Sequence, residues 1–123
     1  MLSMYLLAGI IGVMLFFSVS VAPTIFKVLP QEWAGIYERS FFPKYYLVLG
    51  IICLLAAILS TQITIQIIAF TSSFLFAVSL WVLTPAVNTA KDNHNTSRFN
   101  LLHSISVVIN LLILAMLGYC FWI

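Results

Sequence analysis

Four long apolar stretches fill most of this 123-residue chain, and they limit its possible folds more than any other feature. Only 7% of the residues are charged, whereas about 25% are charged in ordinary soluble domains. A water-soluble fold of this size needs far more charge on its surface. The composition therefore excludes a soluble enzyme, a nucleic-acid-binding protein and a disordered tail, and it indicates a protein embedded in the lipid bilayer.

The apolar stretches predict an all-α membrane protein, a single domain over residues 1–123 with four transmembrane helices in two helical hairpins. Each stretch is long enough, or nearly so, to cross about 30 Å of hydrocarbon as a helix. The first has no basic residue at its start and is too long for the apolar part of a signal peptide, so we expect a span there. The predicted spans cover residues 2–26, 45–62, 63–84 and 99–122.

The basic residues predict the orientation. All five lie between the first and second spans or between the third and fourth, namely Lys27, Arg39, Lys44, Lys91 and Arg98. The positive-inside rule therefore predicts a multi-pass protein with both long loops in the cytoplasm and both termini outside. The lack of a targeting segment favours the inner (cytoplasmic) membrane of a prokaryote. We expect Tyr119 and Trp122 in the outer aromatic belt, and Trp33, Tyr45 and Tyr46 in the inner one.

The two cytoplasmic loops differ in kind. Residues 31–41 have an apolar and a polar half on a helical wheel, which predicts a short amphipathic interfacial helix opened by Pro30 and closed by Pro43. Such a helix would anchor the angle between two spans, or offer a docking surface or a gate. Residues 86–98 are rich in Asn, Ser and Thr and predict a solvated connector, in which we expect His94 to be solvated rather than a metal ligand.

The two halves of the chain share a layout. Each has an outside-to-inside helix with a proline near its cytoplasmic end, Pro23 or Pro85, and residues 16–23 resemble residues 76–85. A duplication would relate the halves as a parallel repeat, by an axis along the membrane normal. The alternative is that both helices end at proline for local reasons.

A polar stripe on the last span contains the candidate site. His103, Ser106 and Asn110 lie within about 60° of one another around the helix axis, and Asn100 flanks them. Unpaired polar side chains in hydrocarbon cost several kcal/mol, so we expect the stripe to point into the bundle. The opposite face is apolar and is expected to face lipid; it carries Ile105, Val108, Ile109, Leu112, Ile113 and Met116.

Three interpretations of this stripe stay open. In the first, Ser106 and Asn110 join helices through hydrogen bonds without any ligand. In the second, His103 is a neutral imidazole that binds a metal, serves as the axial ligand of haem b or carries a proton. In the third, copper is bound by soft ligands, for which the candidates are Met14, Cys53 and Met116. No span contains Asp or Glu and no constellation of catalytic residues is found, so we do not expect an enzyme or a carboxylate-driven transporter.

Several spaced residues resemble the transmembrane protein 205-like family, which contains domain of unknown function 4149. In the first half these are Val21-Ala22-Pro23-x-x-Phe26-x-x-Leu29-Pro30, then Ala34-Gly35 and Phe42-Pro43-x-Tyr45-Tyr46. In the last span, Phe99-x-x-Leu102-His103-x-x-Ser106-x-x-x-Asn110 is similar to the last helix of that family. We expect structural roles for the motif positions Pro23, Pro30, Gly35, Pro43, Tyr45 and Tyr46, and for Pro85 in the second half.

The resemblance covers nearly the whole chain and implies a four-helix membrane fold. The function of that family is largely open, and the association of a eukaryotic member with resistance to platinum drugs points to the handling of metal complexes. By analogy of layout, the chain is also similar to copper-resistance membrane proteins of the D type and to haem-linked small oxidases, where membrane histidines bind haem or metal.

These observations predict a membrane protein that handles or exports a small solute or metal complex around Asn100, His103, Ser106 and Asn110. One alternative is a haem-binding redox module with His103 as axial ligand. Another is a structural protein that docks a partner through residues 31–41. Four spans enclose little volume for a conduction path, so we also expect a homo-oligomer.

Overall fold

The computed structural model describes residues 2–122, and all their side chains except those of Phe26 and Gln31. Every regular element in this range is helical. The chain forms α1 (Leu2–Phe16), a π-helical segment (Phe17–Val21), α2 (Ala22–Val28), α3 (Gln31–Leu59), α4 (Ile63–Val78), a second π-helical segment (Ser79–Leu83), α5 (Thr84–Asp92) and α6 (Thr96–Trp122).

These elements join into four long helices, because each π-helical segment continues the α-helices on either side of it. The first long helix comprises α1 and α2, the third comprises α4 and α5, and α3 and α6 are the second and fourth. All four are long and apolar enough to cross a membrane. The prediction of an all-α fold with four membrane-spanning helices is confirmed.

The four long helices pack antiparallel in a ring. α3 packs against α1 and α4, and α6 closes the ring by packing against α4 and α1. Most of the buried core lies near the chain termini and residues 60–62, which we call the sealed end. Its members there include Leu7, Ile10, Cys53, Ala56, Ala57, Ile65, Ala69, Leu117 and Cys120. The opposite end, with the turns at residues 29–30 and 93–95, carries the charged side chains and is called the charged end.

A glycine allows α3 and α4 to pack closely. A Cβ placed on Gly50 would lie 3.3 Å from Cβ of Phe76, the largest fully buried side chain. The Ser73 hydroxyl donates a hydrogen bond to the Gly50 carbonyl at 2.9 Å. This close approach packs α4 tightly against α3.

The two π-helical segments occur at matching places, each two residues before a proline, Pro23 or Pro85. A proline has no N–H, so the carbonyl four residues earlier lacks its α-helical donor. The π turn shifts the bonding by one residue, so that the N–H of Thr84 bonds to the Ser79 carbonyl. Neither helix ends at its proline, which overturns the idea that both end there for local reasons. The shared irregularity is what a duplicated hairpin would retain.

The separate interfacial helix over residues 31–41 is not formed as predicted. α3 runs without a break from Gln31 to Leu59, and Pro43 lies inside it. Neighbouring packed side chains make a proline tolerable within a long apolar helix, and here the rings of Phe41, Phe42 and Tyr45, on either side of Pro43 in the sequence, pack against one another. At about 1.5 Å per residue, α3 is roughly 43 Å long and exceeds the thickness of the hydrocarbon core. Its first turns therefore form part of the bundle wall at the charged end.

The solvated connector over residues 86–98 is also much shorter than predicted. α5 continues to Asp92 and α6 begins at Thr96, which leaves only residues 93–95 outside the helices. The helix signal in this segment is masked in the sequence by its many Asn and Thr residues, which have weak intrinsic helix propensity.

A Schellman motif ends α5. The Asn95 N–H bonds to the Ala90 carbonyl at 2.9 Å, and the His94 N–H bonds to the Lys91 carbonyl at 3.1 Å. His94 takes the left-handed position, with φ of 56°, where glycine is the usual residue. The Asn95 side chain then caps α6 by accepting a hydrogen bond from the Arg98 N–H at 3.1 Å.

Candidate functional site

A cavity of about 1130 Å³ opens at the charged end, between the first long helix, α3, α5 and α6. Most of its wall is apolar, with aromatic rings from Phe42, Tyr45 and Phe99. Its polar lining comprises Ser18, Glu38, Tyr46, Thr84, Asn88, Lys91, His94, Asn95, Thr96, Asn100, His103, Ser106 and Asn110.

The structure brings all four predicted site residues of α6 to one wall of this cavity. Asn110 is the deepest of them; its Nδ2 donates to Tyr46 Oη at 3.3 Å and to the Ser106 carbonyl at 3.0 Å. Its Oδ1 is buried and has no hydrogen-bond partner among the described residues. The Ser106 hydroxyl donates back to the Leu102 carbonyl at 3.1 Å. Asn100 and His103 are exposed within the cavity mouth.

Three residues predicted to face lipid are packed inside instead. Ile113 is fully buried, and Ile109 and Met116 pack against the core. Ile113 follows Ser106 by seven residues, which is within roughly 20° around a helix, so it extends the polar stripe rather than opposing it. Leu117 and Cys120 continue the same buried face. One face of α6 is therefore polar and open at the charged end, and apolar and packed at the sealed end.

His103 stacks on Phe99, with ring centroids 6.0 Å apart and planes at 7°. In the part of the chain that the structure describes, no group of three or more His, Cys, Asp or Glu side chains is arranged to hold a metal ion. The predicted copper ligands Met14 and Cys53 are buried in the core, where they serve as packing residues. A metal centre at this cavity would thus rely on His103 without the predicted soft ligands.

Sequence reasoning missed two charged residues of the cavity, Glu38 from α3 and Lys91 from α5. Glu38 is half-buried. The Lys91 ammonium lies against α3, since a Cβ placed on Gly35 would be only 2.7 Å from its Nζ. Neither side chain forms an ion pair or a hydrogen bond with any described residue. The signal in the sequence was that each is followed by a residue of opposite charge, which is unusual in a chain so poor in charge.

Those following residues, Arg39 and Asp92, form an ion pair between α3 and α5. Arg39 also donates to the Asn88 carbonyl at 3.2 Å. The hydrogen bond from Arg39 holds the pKa of the exposed Asp92 carboxyl below its usual value. The pair therefore ties the two helices together beside the cavity mouth.

Two of the three residues predicted for the inner aromatic belt lie in the core instead. Tyr45 and Tyr46 are buried rather than placed at the surface, because they join an aromatic cluster between the first π-helical segment, α3 and α4. Trp33, Tyr119 and Trp122 are exposed, and their place in the aromatic belts stays a prediction.

The family model described as domain of unknown function (DUF4149) matches residues 5–96. Comparisons with curated proteins and with solved structures gave no match. The matched segment contains all but the first three residues of the first long helix, the whole second and third long helices, both π-helical segments and the turn before α6. The pattern from Phe99 to Asn110 lies beyond it, so its resemblance to the last helix of the family remains a prediction. Because the match covers most of the chain, the protein belongs to the DUF4149 family.

Proposed function

We propose that this protein binds a small solute or metal complex in the cavity at its charged end and exports it across the membrane. The observation that carries the proposal is the cavity, in which the polar stripe of α6 faces charged residues of α3 and α5 within a single chain. Its volume suits a drug-sized ligand. Polar side chains inside a membrane bundle are expensive, which favours a functional reason for this group.

By the positive-inside rule, we propose that the charged end faces the cytoplasm and that both termini lie outside. The cavity then opens toward the cytoplasm and is closed toward the outside by the core. This arrangement suits a state that accepts its solute from the cytoplasm. Release on the other side requires the sealed end to part, and the π-helical segments are the natural bending points because hydrogen bonding is irregular there.

The cavity suits a metal complex better than a bare metal ion. A complex that keeps its own ligands needs hydrogen-bonding partners and at most one donor, and His103, Ser106 and Asn110 supply these. The alternative, haem b with His103 as axial ligand, draws on the exposed imidazole and the aromatic wall. An absorption spectrum of the purified protein decides: a Soret band lost in His103→Ala establishes haem binding, and a colourless preparation removes that alternative.

Thiol labelling tests whether the cavity admits water and solutes. In a background with Cys53→Ala and Cys120→Ala, the Ser106→Cys variant should react with a membrane-impermeant methanethiosulfonate added at the cytoplasmic face and not at the outer face. Val108→Cys is the matched control, because Val108 is exposed on the opposite face of α6, where lipid would surround it. Equal resistance of both variants to the reagent would refute an open cavity.

Transport is tested with a diammine platinum(II) complex as the probe. Proteoliposomes should trap more platinum than empty vesicles, and the double variant His103→Ala and Asn110→Ala should abolish the difference. Unchanged platinum uptake by the double variant would contradict export through this cavity.

Self-association and partner docking are separate proposals. The cavity lies within one chain, so the argument that four helices enclose too little volume loses force, and a homo-oligomer must be tested by crosslinking in membranes. Trp33, Ile36 and Tyr37 form an exposed apolar face on α3, which fits either lipid or a docked protein. A chain that crosslinks only to a different protein would favour docking.

A further inference from the structure

We infer that the ligand of this cavity is a zwitterionic amphiphile, a molecule with one anionic group, one cationic group and an apolar body. The inference rests on the proposed function, because it names the ligand class of the same cavity. A zwitterionic phospholipid and a free zwitterionic solute share this chemistry, and the experiment below distinguishes them.

The first support comes from the two unpaired charges in the cavity. Glu38 and Lys91 both line it, yet they are more than 4.0 Å apart and neither has another partner among the described side chains. The next residue on each helix, Arg39 and Asp92, does form an ion pair. The same two helices therefore bring one pair of opposite charges into contact outside the cavity and hold the other pair inside it without a direct contact, where Lys91 attracts the Glu38 carboxylate only from a longer distance.

The two charges indicate which charged groups the ligand carries. A half-buried carboxylate without a partner is unfavourable, and a ligand cation would relieve it. The Lys91 ammonium, which lies beside Gly35 one turn before Glu38, is free to bind a ligand anion such as a phosphodiester or carboxylate. A ligand with a single charge would satisfy only one of the two residues, whereas a zwitterion satisfies both.

The second support is the chemistry of the deeper wall. Beyond the charged mouth, the cavity is lined by Phe42, Tyr45, Val107, Leu111 and Leu114, so the body of the ligand is apolar. The Oδ1 of Asn110 is buried without a partner among the described residues, so it can accept a hydrogen bond from a ligand hydroxyl or amide. Opposite charges at the mouth and an apolar interior together describe an amphiphile with a zwitterionic head.

Binding to the full-length protein in a non-ionic detergent tests the inference with three probes. These are short-chain phosphatidylethanolamine, phosphatidylglycerol of the same chain length, and glycerophosphoethanolamine, which is the same zwitterionic head without chains. Glu38→Gln should weaken phosphatidylethanolamine binding by roughly tenfold or more, as expected for a charge-assisted contact, and leave phosphatidylglycerol binding unchanged. Lys91→Gln should weaken both lipids.

The matched controls are Glu32→Gln and Lys44→Gln, which remove exposed charges of α3 that do not line the cavity. Both should bind all probes as the unsubstituted protein does. The melting temperature of each variant without ligand shows that it is folded. If Glu38→Gln and Lys91→Gln destabilise the free protein and a double-mutant cycle shows strong coupling, the two residues pair with each other and the inference is overturned.

The probes also separate the possible outcomes. Phosphatidylethanolamine binding at least about tenfold tighter than glycerophosphoethanolamine identifies a lipid, because burying the chains adds apolar contact; equal binding of the two identifies a soluble zwitterion. Tighter binding of phosphatidylglycerol with no effect of Glu38→Gln overturns the inference in favour of an anion. Failure of all three probes, with Ser106→Cys still labelled, overturns the zwitterion and leaves the proposed cavity function intact.

Discussion

Asn110→Leu is expected to make the protein more stable while it weakens ligand binding. The asparagine makes one bond to another helix, from Nδ2 to Tyr46 Oη, and its second bond returns to the Ser106 carbonyl of its own helix. Its Oδ1 is buried without a partner among the described residues. Leucine has a similar size and carries no polar atom, so it removes both the bond and the unsatisfied acceptor.

The balance of these two effects predicts whether Asn110→Leu raises or lowers the free energy of unfolding. The bond to Tyr46 is long, at 3.3 Å, and hydrogen bonds between membrane helices average only about 0.6 kcal/mol. A buried acceptor without a partner costs about 1–3 kcal/mol. The substitution should therefore raise the free energy of unfolding by about 1 kcal/mol, or about fivefold in the unfolding equilibrium.

The assay is SDS-induced unfolding in mild detergent, followed by far-ultraviolet circular dichroism. Ser72→Ala is the matched control, because its hydroxyl is also buried and unpartnered but does not line the cavity. It should gain stability without any change in ligand binding. A cycle of Asn110→Leu with Tyr46→Phe should give a coupling of about 0.6 kcal/mol.

The opposite result would refute the reasoning. If Asn110→Leu lowers the free energy of unfolding by more than about 1.5 kcal/mol, and the coupling to Tyr46 reaches the upper end of measured values, Asn110 holds helices together. The first interpretation of the stripe, hydrogen bonding between helices without a ligand, would then be correct.

Three further substitutions test other features of the structure. His94→Gly should raise the free energy of unfolding by about 1 kcal/mol in the same assay, because glycine adopts the left-handed position of the Schellman motif without strain; no gain would mean that the turn differs. Gly50→Val should lower it by about 1–3 kcal/mol through overpacking against Phe76, whereas Gly118→Val, with nothing within 4 Å of its Cβ, should change it little. Asp92→Asn should lower the melting temperature near pH 6, and by progressively less as the pH falls below about 3.9. The pKa of Asp92 is lowered in the folded state by Arg39, so its contribution is fully present above the unfolded value and is lost as the pH falls through the folded value. A difference that does not shrink as the pH is lowered would contradict an ionic contact with Arg39.

Several energetically unfavourable features meet in the cavity. They are the unpartnered Oδ1 of Asn110, the unpaired charges of Glu38 and Lys91, and the left-handed backbone of His94. Proteins tolerate such features mainly where function requires them. In the described part of the chain, buried hydroxyls without a partner also occur away from the cavity, at Ser72 and Ser79, but only the cavity combines an unpartnered polar atom with charged side chains, which supports a binding site there whatever its ligand.

The sequence predicted only the part of the candidate site that lies on a single helix, α6. The spacing of His103, Ser106 and Asn110 establishes that they share a face, because side-chain direction repeats with the helical period. The residues opposite them were not predictable in this way. Glu38 and Lys91 reach the cavity because α3 begins at Gln31 and α5 continues to Asp92, and those continuations depend on packing around Pro43 and Pro85.

The sequence by itself determined the four membrane-spanning helices and their all-α class, because hydrophobicity summed over about 20 residues is a local property that needs no knowledge of neighbours. Only the tertiary structure decided which face of α6 is packed and which is open. It also decided that charged residues of segments 31–41 and 86–98, which the sequence places in two separate loops, meet at the cavity. Those outcomes depend on contacts between helices far apart in the chain, where aromatic packing and π-helical hydrogen bonding outweigh the local tendency of proline to end a helix.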